Sequence, residues 1–254
     1  MKLSADINAD LGEGSGHDEE LFELISSANI ATGFHAGDAD TMHAAVSAAK
    51  KRGVGVGAHP SFFDRENFGR KEQKVSTAEV FDAVAYQLGI FQAIASAVGA
   101  QPNHVKPHGA LYNMAVRDRD LADAIARAIE SVDPTLILFA PDKSELALAG
   151  EAHGLQIACE IFADRNYLND GWLVPRTRPD ALLRDPNEAA ERVLRMLREG
   201  RVRSVEGRDV DVRGETICIH GDTPGAVEFA RKLRSKLEHE GVKIGAPQRM
   251  TRFE

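Results

Sequence analysis

The chain has 254 residues, 31 Lys and Arg against 39 Asp and Glu, a formal charge of −8 and 43% hydrophobic residues. That composition is ordinary for a globular protein and excludes a disordered chain, a collagen-like repeat and a coiled coil. The negative charge argues against nucleic acid as the main partner, because phosphate binding needs clustered Lys and Arg.

Short β-branched runs alternate with stretches of helical period along the whole chain. The first strand is expected at 4–8, and 29–33 follows. Asp38 then stands at the N-cap of a helix containing Met42 and Val46. After a strand at 53–59, Ser76 and Glu79 have capping-box spacing. They open a helix over 77–98 whose Val80, Val84, Leu88, Phe91 and Ala95 share one face. Strands at 103–106 and 135–140 flank a helix over 118–131, where Leu121, Ile125 and Ile129 repeat every four residues. A strand at 156–162 and a helix over 187–199 come next. In 201–213 apolar and charged residues alternate around Glu206 and Gly207, which predicts an inserted β-hairpin, either ornamental or a lid or subunit contact. The last strand is 215–220. Thr223 and Pro224 fit N-cap and N1 of a final helix over 224–239. One domain over 1–254 is expected.

Strands alternating with helices mean a parallel sheet with crossovers, open or closed. Polar residues at the strand ends decide between the two. Asp6, Asn8 and Asp10 come first, then His35, His59, Lys106 with His108, Pro141, Glu160 with Asp164 and Arg165, and His220 with Asp222. Functional groups at nearly every strand end fit a closed (β/α) barrel of about seven parallel strands with one mouth. No apolar run of about 18 residues occurs, so no membrane span is expected. The acidic MKLSADINADLGEG lacks the apolar stretch of a signal peptide. Cys159 and Cys218 read as two buried thiols of a cytoplasmic protein rather than one disulfide.

Histidines converging on one mouth suit metal binding or general-base work. Asp6 and Asn8, two residues apart, share a strand face. Asp6 with His35 and His59 could hold a divalent metal, or polarise an attacking water. Lys106 and His108 also share a face, and a buried lysine needs an acid such as Glu160 beside it. Arg165 and Arg176 bracket Trp172 and suit a carboxylate. GVGVGAH runs into His59, Pro60 and Ser61 where a nucleotide-binding helix should start, and no GxxxxGK[ST] occurs. Gly12, Gly14 and Gly16 form either an anion nest or a plain flexible loop.

The blocks DINADLGEG, SSANIATGFHAGD, GAHPSF, HVKPHGALYN, EIFADRNYLNDGWLVPR and ICIHGDTPGAV resemble, in order, those of the LamB/YcsF family, the A subunits of prokaryotic 5-oxoprolinase. Thr32 and Ala9 stand where members often have cysteine, and SFFDRENFGRK replaces a shorter aromatic-proline stretch. The resemblance implies a barrel similar to polysaccharide deacetylases. It also implies ATP-consuming opening of 5-oxo-L-proline to L-glutamate with partner subunits B and C. On that reading His35 or His59 with Asp6 activates water, and Lys106 and His108 stabilise oxygen charge. Arg165 or Arg176 grips the substrate carboxylate, and Asn8, Glu160 and His220 line the substrate. The competing expectations are a stand-alone metal-dependent deacetylase or amidohydrolase, and a non-catalytic substrate-binding subunit.

Overall fold

The structure is a computed structural model that describes residues 3–220 and 225–249. Its first half runs β1 (Ser4–Leu11), α1 (Asp18–Phe22), β2 (Ser27–Ala31), α2 (Ala39–Arg52), β3 (Gly55–His59), α3 (Thr77–Ala97), β4 (Pro102–Val105), α4 (Gly109–Ala115) and α5 (Arg119–Val132). The second half runs β5 (Ile137–Ala140), α6 (Glu145–Ala152), β6 (Gln156–Phe162), α7 (Pro186–Glu199), β7 (Arg201–Arg203), β8 (Asp209–Asp211), β9 (Thr216–Ile219), α8 (Ala226–His239) and β10 (Lys243–Ile244). Strands β1 to β6 and β9 pair in parallel in that order, and β9 returns to β1 to close a seven-stranded barrel. β10 pairs with the first two residues of β1, and β7 and β8 form a separate antiparallel hairpin.

The caps that define the helices are local chemistry. Asp38 accepts from the Thr41 amide, and Ser76 with Glu79 completes a reciprocal capping box. The expected Thr223–Pro224 cap and Asp222 lie outside the described residues; among those described, Gly225 stands at the N-cap of α8. β2 begins two residues earlier than expected and ends at Ala31, because the next residues leave the ladder. The Thr32 hydroxyl donates to Gln87 Oε1, and Gly33 adopts φ 97°. α3 is long and apolar enough, by length and composition, to cross a membrane, which the apolar-run reading did not register. Here Val80, Val84, Leu88, Phe91 and Ala95 are buried, and the helix packs on α5, α2 and β3.

Side chains alternate along each strand, so a barrel has two environments. Ile7, Ala9 and Leu11 of β1 point outward into the main apolar core under the helices. Asp6, Asn8 and Asp10 point inward. The barrel interior is thus largely polar, and Ile137, Phe139 and Ala158 form a small apolar cluster there. Against that cluster lies His104, stacked on Phe139 at 4.1 Å between ring centroids, with Nε2 2.8 Å from Asn29 Oδ1. Burial, reinforced by the Lys106 charge, pushes this imidazole down to about 3, so it stays neutral.

Gly57 explains one part of the glycine-rich GVGVGAH. A Cβ there would collide with the His104 ring. Gly57→Ala should therefore lower the unfolding free energy by about 1–3 kcal/mol through overpacking, read from urea denaturation.

Candidate active site

Asp6, Asn8 and Asp10 of β1 occupy three depths. Asp6 is deepest: it accepts from Ser26 Oγ at 2.5 Å and from Thr216 Oγ1 at 2.6 Å. Thr216 opens β9 and Ser26 precedes β2, so this carboxyl sits at the N-terminal end of the barrel. Asp10 lies about 13 Å further along the strand. The expected trio of Asp6, His35 and His59 therefore does not form, and Asp6 stands away from the mouth. Burial raises its pKa to about 6, against the pull of the two hydroxyls.

One layer up, Asn8 and Glu160 are also committed. Asn8 Nδ2 donates to Glu160 Oε1 and Thr216 Oγ1, and its Oδ1 accepts from Asn29 and Lys106. Glu160 Oε2 accepts from the Tyr112 hydroxyl at 2.6 Å, and Oε1 lies 3.0 Å from Lys106 Nζ. Neither residue presents a free group to a substrate; both hold Lys106. That ammonium, 4% exposed, also reaches Asp10 Oδ1 at 3.2 Å and Cys218 Sγ at 3.0 Å. Burial alone would lower its pKa, but Asp10, Cys218 and Glu160 override it and hold it well above its usual value. Burial likewise acts to raise Asp10, and its contacts with the His59 ring and the Lys106 ammonium hold it well below the carboxylate range. Lys106 stays charged and Asp10 stays ionised. Cys159 and Cys218 are both buried and form no disulfide.

The mouth itself is built by loops after β1, β2, β3 and β4. His59 ends β3, with Nε2 3.3 Å from Asp10 Oδ2. His35 and His108 stack with centroids 3.9 Å apart, and His59 meets both edge-on. Glu13 completes the group: its Oε1 lies 2.9 Å from His35 Nε2, and among the described residues these four form a cluster able to hold a metal ion. Burial, with the neighbouring His59, keeps both His35 and His108 well below the usual imidazole range. Glu13 was not among the expected residues, yet its signal was present. Gly12 and Gly14 flank it at φ 72° and 79°, so the loop doubles back over the mouth. The loop after β3, which includes SFFDRENFGRK, folds over the other side. Phe68, at φ 55°, aims its carbonyl at His108 Nε2, 2.9 Å away, and lays its ring against His35 and His108.

On the far wall, His220 Nδ1 pairs with Asp164 at 2.8 Å, and His220 stacks on Phe162. Arg165 is buried. One Nη donates to Val174 O, and its Nε has no hydrogen-bond partner among the described residues. Burial and the adjacent Arg176 push its guanidinium down to about 10. Arg176 is exposed, so of the two arginines Arg165 is the one held in the interior.

Residues 5–252 match the LamB/YcsF family. The chain belongs to that family. It is 51% identical over 248 residues to a Rhodopseudomonas palustris protein named as the A subunit of 5-oxoprolinase, covering 95% of this chain and 98% of that one. A Bacillus licheniformis protein of the same name is 49% identical over 246 residues, covering 95% and 97%. The crystal structure of a lactam utilization protein from Thermus thermophilus matches with a TM-score of 0.91 at 46% identity, over 96% of this chain and all of that one. A CE4-family pseudoenzyme mutant with restored activity, 13% identical, matches at 0.50 over 96% of this chain and 65% of its own, a likeness of fold alone. The LamB/YcsF chain thus shares its barrel fold with that CE4-family protein.

Two stability measurements test the buried charges of this LamB/YcsF barrel. Lys106→Met leaves Asp10 and Glu160 without their cation and should cost about 3–5 kcal/mol in urea denaturation. Asp6 holds its proton to a higher pH when folded than when unfolded, so its contribution is fully present below the unfolded value of 3.8 and is lost as pH rises towards about 6. The loss is on the order of 3 kcal/mol. Asp6→Asn should flatten that part of the stability–pH curve.

Proposed function

We propose that this chain is the A subunit of an ATP-consuming 5-oxoprolinase, opening the lactam of 5-oxo-L-proline to L-glutamate with partner subunits B and C. The family and the names of the relatives support the substrate class. The observation that carries the chemistry is the contact of one ionised carboxylate, Asp10, with both Lys106 and His59 at the mouth.

A five-membered lactam is a stable amide, so its carbon must be made electrophilic before water can add. Phosphoryl transfer from ATP to the lactam oxygen does this. Water then adds to the ring carbon, the C–N bond breaks, and the nitrogen takes a proton. The resulting acyl phosphate is hydrolysed by a second water, so ATP and two waters are consumed for one glutamate, ADP and phosphate. Asp10 orients the attacking water in place of the distant Asp6. The Lys106 charge and the His108 face stabilise the developing oxygen charge. Arg165, with donors to spare, receives the substrate carboxylate; Arg176 and His220 complete that wall. Asn8 and Glu160 act from below, by holding Lys106. The chain has no GxxxxGK[ST] loop, which favours placing nucleotide binding with the partners. A divalent metal among the mouth histidines would serve as electrophile. The activity is that of a cytoplasmic complex.

The test is reconstitution with the B and C subunits, ATP and 5-oxoproline, measuring glutamate with each component omitted in turn. All components should be required. Asp10→Asn should lower the rate by at least about 100-fold, while Asp6→Asn stays close to wild type. Amide turnover without ATP or partners would favour a stand-alone amidohydrolase. Full activity of the assembled Asp10→Asn complex would leave only a substrate-binding role.

A further inference from the structure

The hydrogen bonds behind two of the mouth histidines decide what their front nitrogens present. A backbone carbonyl can only accept. His59 Nδ1 lies 2.6 Å from Lys106 O and His108 Nε2 lies 2.9 Å from Phe68 O, so each of these nitrogens carries its ring hydrogen. An imidazole carrying only that hydrogen leaves its lone pair on the opposite nitrogen, His59 Nε2 or His108 Nδ1, and these atoms face each other at 2.9 Å. Glu13 Oε1 stands 3.4 Å from the second and 3.8 Å from the first. Asp10 Oδ2 lies 3.3 Å from His59 Nε2. The ring hydrogens given to those two carbonyls point away from the space between these atoms. Buried acceptors held face to face repel unless a cation lies among them.

We infer that this cation is a divalent transition-metal ion of the zinc class, held by His59 Nε2, His108 Nδ1 and Glu13 Oε1. Ligands about 2.0–2.2 Å from a tetrahedral ion stand roughly 3.3 Å from one another. The three separations of 2.9, 3.4 and 3.8 Å bracket that spacing. Two imidazoles and a carboxylate are a set that such ions favour, with one position left open. Each ligating ring also has the carbonyl acceptor behind it that metal-bound histidines almost always have.

His35 lacks that support. Its Nδ1 is buried with no partner among the described residues, so ligation through Nε2 would strand a buried N–H. Its Nε2, 2.9 Å from Glu13 Oε1, is instead placed to donate to the carboxylate and orient it. His35 is then a positioning residue, and Asp6, at the other end of the barrel, takes no part. The ion's use in lactam opening rests on the function proposed above; its binding does not.

Ion binding can be measured on the isolated full chain, without partners, ATP or substrate. After chelator treatment, the chain is titrated with Co²⁺ and Zn²⁺, following heat, the visible Co²⁺ spectrum and bound metal by elemental analysis. Wild type should take up one ion per chain with an intense tetrahedral-type Co²⁺ spectrum. Glu13→Gln and His108→Ala should weaken uptake by more than about 100-fold, His35→Asn by about 10–100-fold with stoichiometry kept, and Asp6→Asn not at all. Circular dichroism checks each variant's fold, and Glu13→Gln, an isosteric change on a loop, keeps the test decisive if a histidine variant misfolds. No uptake by wild type, or uptake indifferent to Glu13→Gln, overturns the inference and leaves a shared proton between the rings. Glutamate formation by the wild-type complex in a run where no ion binds would separate this failure from failure of the functional reading.

Discussion

An ammonium sealed inside a barrel must be answered on every side, and the interior of this protein is arranged around that requirement. Lys106 touches Asp10, Glu160, Asn8 and Cys218, and each neighbour is tied in turn. Tyr112 fixes Glu160, Asn29 bridges Asn8 and Asp10, and His104 fixes Asn29 from its stack on Phe139. Buried networks of this kind are stable only when complete, because a half-satisfied charge costs more than an apolar replacement would. The consequence is rigidity where chemistry needs it. Asp10 cannot drift from His59 without abandoning Lys106.

The fold offsets this polar interior with an apolar jacket outside it. The main core lies between the strands' outer faces and the helices, where Ile7, Leu11, Val84, Leu88, Phe91, Ile125 and Ile129 are fully or almost fully buried. The inside of the barrel is thereby released from the usual filling of branched aliphatic side chains. Two loops then finish the site. The glycine-flanked turn after β1 returns Glu13 to the histidines, and the loop after β3 holds Phe68 in a left-handed conformation that sets its carbonyl against His108. A non-glycine residue at positive φ is strained, and its place beside the mouth is where such strain is tolerated.

Which residues can be foreseen follows from what periodicity encodes. A histidine immediately after a strand run must emerge at the strand's C-terminal end, and in a closed barrel all such ends meet. His35, His59 and His108 do meet there, ring against ring. Period two also puts Asp6, Asn8 and Asp10 on one face, but it carries no information about depth. That is why it offers Asp6 to the histidines as readily as Asp10. Glu160 illustrates the converse: its burial is foreseeable, its saturation by Tyr112 and Lys106 is not. Glu13 and Phe68 lie on loops, whose paths depend on what they pack against.

The amino-acid order by itself determined the alternation of strands and helices, the caps at Asp38 and Ser76, and the family to which the chain belongs, because these are written in local spacing and contiguous motifs. Only the folded barrel decided that Asp10 and Glu13, not Asp6, stand with the histidines, that Glu160 and Asn8 serve Lys106, and that His59 and His108 turn Nε2 and Nδ1 on each other. Those relations join residues tens of positions apart. They are fixed by barrel closure and by which carbonyl each ring finds behind it, and neither is a property of any short stretch of chain.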